Sequence, residues 1–285
     1  MQVKTFYDAR TSTLTYVVYD ADTKDATVLD PVLDFDAASG STWTDSVEKV
    51  IQFLNENQLK LHWALETHAH ADHLSGSPVL KEACPTVKVA IGSRITAVQE
   101  VFKDIFNLPD DFRTDGSQFD RLLDDGEVLE AGSLRFETMF TPGHTPACAS
   151  YKIEDALFTG DALFMPDSGT GRCDFPGGDA ALLYESIRRL LSLPGDTKLF
   201  MCHDYRPGGR ELRWVCTVDE QRDGNIHAGE AVTKPEFVAM RNERDAGLDL
   251  PALIVPSIQV NIRAGHLPVA ENNKIAYIKT PIDTL

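Results

Sequence analysis

Apolar residues recur along this chain in two rhythms. β-Branched and aromatic residues crowd TLTYVVYD (13–20) and DATVLDPV (25–32), on either side of the polar ADTKD, which predicts two strands joined by a turn. In TWTDSVEKVIQFLNENQL (42–59), Val47, Val50, Ile51 and Leu54 fall at helical spacing, with Thr44 or Asp45 placed to cap the first turn. A further strand, LHWALETH (61–68), runs straight into the heptapeptide THAHADH (67–73). Strand and helix patterns then alternate through LSGSPVLKEAC, VKVAIGS, ITAVQEVFKDIF, SLRFETMFTPGH, DALFTGDALF, DAALLYESIRRLLSL and TKLFMCHD. That order predicts an α/β layered domain. Beyond about residue 217 the pattern weakens: KPEFVAMRNERDAGL reads as a helix with Pro235 near its start, and PSIQVNIRAGHLP as an extended tail. No repeat or Gly/Ser/Pro-rich linker divides the chain. The expected organisation is a main domain over 1–215 and a C-terminal extension, 216–285, packed on that same domain.

Polar residues of unusual chemistry sit where the predicted strands stop. His68 follows LHWALET, His144 follows FETMFTPG, Asp161 follows ALFTG, and His203 follows KLFMC. Four such strand ends converge on one edge of a sheet, where α/β folds place their sites. Within THAHADH, His68 and His70 are two apart and share a direction on extended backbone. Asp72 and His73 come just before a predicted helix start and address a second position. Histidine is the commonest ligand for borderline first-row cations, so this spacing predicts metal binding in two subsites. His62, His227 and His266 stand alone in sequence and read as ordinary hydrogen-bonded or surface residues.

Composition narrows the setting. With 42% hydrophobic residues in 285, the chain can bury a large core without help from disulfides. Its five cysteines are odd in number and form no C-x-x-C pair, which suits reduced thiols. No apolar run reaches the roughly 18 residues that a membrane span requires, and MQVKTFYDAR lacks a signal-peptide core. The expectation is a cytoplasmic protein without a membrane partner. Against 44 acidic residues stand 27 Lys and Arg, a net charge of −17 that repels nucleic acid.

Taken in order, THAHADH, TPGHT, TGDALF and CHDY resemble the motifs of the metallo-β-lactamase superfamily over roughly residues 10–205. The resemblance implies an αββα four-layer sandwich, a first subsite at His68, His70 and His144, a second at Asp72, His73 and His203, and Asp161 between them. Two chemistries fit those residues. One is a dinuclear zinc thioester hydrolase of the glyoxalase II type, acting on S-lactoylglutathione with two Zn(II) per chain. The other uses a single Fe(II), held by two histidines and a carboxylate, to bring O2 and substrate together.

The loop DSGTGRCDFPGGDA (167–180) separates them, because Gly171, Arg172, Asp174 and Phe175 resemble the Gly-Arg-x-Asp-Phe loop of persulfide dioxygenases. The C-terminal NIRAG is also similar to that family's Asn-x-Arg-x-Gly tail. This resemblance implies one Fe(II) per chain on His68, His144 and Asp161, with His70, Asp72, His73 and His203 as outer groups or a second subsite. It further implies glutathione persulfide and O2 as substrates, sulfite and glutathione as products, and a homodimer. Cys173 stands where the family loop has threonine or another small residue, and reads as a packed thiol. Arg172, Tyr205, Arg206 and Arg210 are the expected contacts to the glutathione moiety, Arg213 adding to the same basic stretch.

Overall fold

In the computed structural model, which describes residues 1–284, the first half of the chain runs β1 (Gln2–Asp8), β2 (Thr13–Tyr19), β3 (Asp25–Leu29), β4 (Val32–Asp36), β5 (Ser41–Trp43), α1 (Asp45–Glu56), β6 (Lys60–Glu66), β7 (Leu74–Ser75), α2 (Ser77–Ala83), β8 (Lys88–Gly92), α3 (Ile95–Ile105) and β9 (Arg121–Leu123). The second half runs β10 (Val128–Ala131), β11 (Leu134–Phe140), β12 (Ala149–Ile153), β13 (Ala156–Phe158), α4 (Ala180–Leu191), β14 (Lys198–Phe200), β15 (Val215–Thr217), α5 (Val218–Gly224), α6 (Lys234–Asp245) and α7 (Ile254–Asn261). One six-stranded sheet has the order β1-β2-β3-β6-β8-β9 and a second β10-β11-β12-β13-β14-β15, while β5-β4-β7 form a small three-stranded sheet.

Alternation within single strands explains why the sheets stack. Leu14, Tyr16 and Val18 of β2 enter the core shared with the second sheet, whereas Val17 enters a separate one. Likewise Leu29 and Leu65 face the second sheet while Val28 and Ala64 face outward. Strands buried on both faces need a layer on each side. Val47, Val50 and Leu54 of α1 with Val98 and Phe102 of α3 cover the first sheet, and α4, backed by α5 and α6, covers the second. The result is the helix–sheet–sheet–helix sandwich that the family resemblance implies.

Several local expectations are corrected. Thr44 is the N-cap residue of α1, but its side chain accepts no capping hydrogen bond; instead Asp34 accepts from Ser46 N and Ser46 Oγ, each at 2.8 Å. Asp72 and His73 lie in a loop and not at a helix start, because Leu74 and Ser75 first pair with β4 and α2 begins at Ser77. The stretch around residues 254–261 is helical, not extended. Its sequence deceives because Ile258, Val260 and Ile262 alternate with Ser257, Gln259 and Asn261, imitating a strand, yet all six are buried. Ile254, Ile258 and Ile262, four apart, join the core beneath α1 and α3. Pro256 falls in the first turn, where no amide donor is required.

This helix holds the THAHADH loop. Asn261 Nδ2 donates to the carbonyls of His70 and His73, both at 2.8 Å, and Asn261 Oδ1 accepts from Ser75 N at 2.8 Å. Gly265, at φ +84°, lets the chain turn there: a Cβ would fall 2.6 Å from Pro78 Cδ and 2.9 Å from the Ser75 carbonyl. Replacing Asn261 by Leu leaves one amide and two carbonyls buried without partners, at about 1–3 kcal/mol for each unsatisfied group. The expected outcome is a fall in stability of at least about 2 kcal/mol in urea unfolding, with lowered metal retention; an unchanged midpoint contradicts the clamp.

Candidate metal centre

The loops that follow β6, β11, β13 and β14 meet at one edge of the sandwich, carrying His68, His144, Asp161 and His203. His68, His144 and Asp161 place one ligand atom each within 4.8 Å of one another, and so do His70, Asp72 and His73. Asp161 joins the two groups. Its Oδ2 lies 3.5 Å from His144 Nε2 and 3.9 Å from His68 Nε2, while its Oδ1 lies 3.4 Å from His203 Nε2. His203 Nε2 is also 3.4 Å from Asp72 Oδ2.

Each ring is fixed from behind. His144 Nδ1 donates to the Arg172 carbonyl at 2.7 Å, and His203 Nδ1 donates to the Ser12 carbonyl at 3.3 Å; a carbonyl only accepts, so Nε2 keeps its lone pair. His70 Nε2 faces Asp30 Oδ1 at 3.0 Å, which leaves Nδ1 as the free nitrogen. Thr67 Oγ1 donates to Asp30 Oδ2 at 3.0 Å and receives His68 Nδ1–H at 3.0 Å. Asp30 also accepts from Thr67 N at 2.7 Å. Burial holds His68 and His70 well below the ordinary histidine range, in the neutral form that ligates.

Those arrangements leave His68 Nε2, His70 Nδ1, His73 Nε2, His203 Nε2 and Asp161 Oδ1 buried without a hydrogen bond. Buried polar atoms rarely lack partners, and five in one place make a socket for cations. Imidazole nitrogens with carboxylates suit iron, zinc and their neighbours in the first row. The residues present therefore fit a metal cofactor.

The sequence missed the supporting residues. Asp30 sits at the end of β3 with φ +48°, and its only sequence signal is a charge closing an apolar run, the same signal that marked His68. Glu66 is fully enclosed, accepting from Ser77 Oγ at 2.7 Å and from the Ser75 hydroxyl; burial, then the nearby Asp30 charge, pushes it up to about 8. Burial likewise pushes Cys173 up to about 12, which makes it an inert packed thiol.

A cavity of about 470 Å³ opens onto the centre. Asp72, His144 and Asp161 line its floor, and Phe164, Phe175 and Tyr205 its sides. Gly171 lets the 167–180 loop pass close by: a Cβ there would fall 2.2 Å from the Asp161 carbonyl. Arg172 lines the cavity, but its guanidinium is committed to Asp174 through two 2.6 Å bonds and to the Asp249 carbonyl at 2.6 Å. Tyr205 is 54% exposed and stacks on His203 with ring centroids 5.6 Å apart.

The basic patch expected around Arg206 and Arg210 does not form at the cavity, since neither residue lines it. Arg210 is bonded to Asp204 at 2.7 Å through both terminal nitrogens and also engages Asp167, because the buried Asp204 needs a counter-charge. Arg206 turns back to donate to the Arg210 carbonyl at 2.9 Å. Arg213 pairs with Glu220 at 3.4 Å.

His227, expected to be an ordinary residue, is buried in the cavity wall. Its Nδ1 accepts from Thr170 N at 3.1 Å and so props the loop bearing Gly171 and Arg172. Gly169, at φ +85°, passes so close that a Cβ would fall 2.0 Å from that nitrogen.

Two mixed sheets packed between helices, with imidazoles and carboxylates converging at one edge, define a metal-dependent enzyme class. The chain belongs to the metallo-β-lactamase superfamily, whose family model matches residues 9–203. It is 48% identical to a probable metallo-hydrolase of Burkholderia pseudomallei and 49% identical to Glyoxylase B2 of Dictyostelium discoideum, covering all of this chain and 100% and 98% of theirs. It is 30% identical to human mitochondrial persulfide dioxygenase ETHE1 over 92% of this chain and 88% of that one. The crystal structure of ETHE1 from Myxococcus xanthus superposes with a TM-score of 0.74 at 29% identity, covering 93% of this chain and all of that one. Among the described residues, no helix is long and apolar enough to cross a membrane.

Burial, with the Arg241 and Arg244 charges beside it, pushes His227 from its ordinary 6.5 down to about 4. Between those values the unfolded chain binds the proton and the folded one does not, so stability is complete above about pH 6.5 and falls as pH drops toward 4. The loss reaches about 3 kcal/mol at 1.36 kcal/mol per unit. A His227→Gln variant is expected to lose this segment of the pH–stability curve in denaturant titrations at pH 4–7. A curve parallel to the parent's removes His227 as its source.

Proposed function

We propose that this chain is a persulfide dioxygenase that oxidises glutathione persulfide with O2 to sulfite and glutathione at a single Fe(II). The observation that carries the proposal is the compact group of His68, His144 and Asp161, two imidazoles and one carboxylate, beside an open cavity. Two histidines and one carboxylate are also the ligand composition of non-heme iron oxygenases. His70 falls outside the group, and its Nε2 is taken up by Asp30. The likeness to ETHE1 proteins over nine-tenths of the chain supports the same reading.

When bound, iron supplies a Lewis-acidic, redox-active centre that lowers the pKa of a ligating persulfide and activates dioxygen. The protein's part is positional. His68, His144 and Asp161 would hold the ion, and the Arg172 carbonyl keeps His144 Nε2 free for it. Phe164 and Phe175 make the cavity walls apolar and limit water near the reacting sulfur. The half-exposed Tyr205 lines the cavity and is open to contact from a substrate backbone, and Arg172 contributes by shaping the loop.

A second reading, a dinuclear zinc thioester hydrolase, is favoured by the complete His70, Asp72 and His73 group and by the free Nε2 atoms of His73 and His203. The names of the relatives at 48% and 49% identity point the same way. Elemental analysis of protein expressed with iron and zinc both supplied, paired with an oxygen electrode, separates the two. The expected result is about one iron per chain, oxygen uptake on adding glutathione and sulfur, and loss of both in His68→Ala. The activity loss should exceed the roughly 10–100-fold typical of outer-partner mutations. Two zinc ions per chain with S-lactoylglutathione hydrolysis and no oxygen uptake overturns the proposal.

A further inference from the structure

The cavity's charge is the reverse of the surface's. Outside the metal cluster, where Asp72 and Asp161 belong, no acidic side chain among the described residues lines it, although the chain has 44 acids against 27 Lys and Arg. Four arginines do line it. Two are neutralised: Arg172 by Asp174, and the fully buried Arg241 by Asp245. Arg10, on the β1–β2 turn, and Arg244, in the last turn of α6, form no ion pair and donate no side-chain hydrogen bond among the described residues. Arg10 is nonetheless placed, with its guanidinium carbon 4.4 Å from the Trp43 ring centroid. Stacking of this kind fixes the plane and leaves the N–H edge free.

We infer that Arg10 and Arg244 are specificity-determining residues that receive the carboxylates of an anionic thiol substrate at the cavity rim. The inference deepens the function proposed above by naming how the carrier thiol is recognised, and it rests on that reading for the substrate class. A tripeptide thiol of the glutathione type carries one carboxylate at each end, and a planar guanidinium meets a carboxylate with two parallel hydrogen bonds. A volume of about 470 Å³ is within the range of small-ligand sites. The arrangement divides labour: cluster and aromatic walls take the sulfur end, and the rim takes the charged ends. Arg244 at the end of α6 and the lining residues Leu248, Pro251 and Leu253 of the connection from α6 to α7 are neighbours in sequence, so this wall of the pocket is a C-terminal contribution.

The test is calorimetric titration of glutathione, and separately of its diethyl ester, into metal-loaded parent, Arg10→Gln, Arg244→Gln and the double variant. Each single substitution is expected to weaken glutathione binding about 10–100-fold, the range for a charged hydrogen-bonded pair, while leaving the ester's affinity within about threefold of the parent's. Unchanged glutathione affinity in the double variant overturns the inference. Equal weakening for acid and ester overturns it as well, since packing and not carboxylate recognition would then be at stake. Binding is read without turnover, so the inference stands if the enzyme hydrolyses glutathione thioesters and only the dioxygenase reading falls.

Discussion

Lone pairs with no hydrogen to accept set the terms for this molecule. Five buried ring and carboxylate atoms point at one another across a few ångströms, and each would cost about 1–3 kcal/mol if left so. Water or a cation relieves such a cost, and the fold has been arranged for the cation. Behind four of the five rings stands an acceptor for the far proton: the Arg172 carbonyl for His144, the Ser12 carbonyl for His203, Asp30 for His70 and Thr67 for His68. These partners come from strands and loops far apart in sequence, so the tautomers are correct only once both sheets have formed. Metal affinity and tertiary stability are for that reason one property.

Asp30 carries more of this than any other outer residue. Its carboxylate takes the Thr67 amide and hydroxyl and the His70 ring, and the Cys202 thiol approaches it at 3.7 Å. Burial raises its pKa, and the donations from Thr67 with the nearby His68 and His73 rings oppose that. One carboxylate thereby fixes the backbone entry to the loop and the orientation of two of its histidines. Asn261 fixes the loop's exit in the same manner, through main-chain contacts to His70 and His73.

The layered fold and the seven metal-capable side chains were legible because their signals are local. Apolar runs predict strands, and an ionisable residue at the end of such a run marks the sheet edge. Asp30 ended a run in the same way, yet its partners lie 37 and 40 positions away and no spacing connects them. Asn261 was noted as the first residue of NIRAG, but its role was hidden by a helix whose polar and apolar residues alternate like a strand's, since burial all round erases the helical period. Arginine counting near His203 failed for the opposite reason. Sequence proximity registered the cations but not the demand of the enclosed Asp204, which claims Arg210 before any substrate arrives.

The 171–175 loop has a different meaning once its contacts are known. Arg172 spends its guanidinium on Asp174 and Asp249 and its carbonyl on His144, and Phe175 stands edge-on to the His144 ring at 5.1 Å. This sequence therefore describes how the His144 side of the centre is held. It says little about what enters the cavity. Recognition is left to residues such as Arg10 and to the stretch from Arg244 to Leu253, which lies beyond the 203 at which the family model stops matching. Two relatives can share every ligand and the same metal geometry while differing in that wall. Chemistry and specificity are thus separable here, one written in the strand ends and the other in Arg10 and the C-terminal segment that lines the cavity.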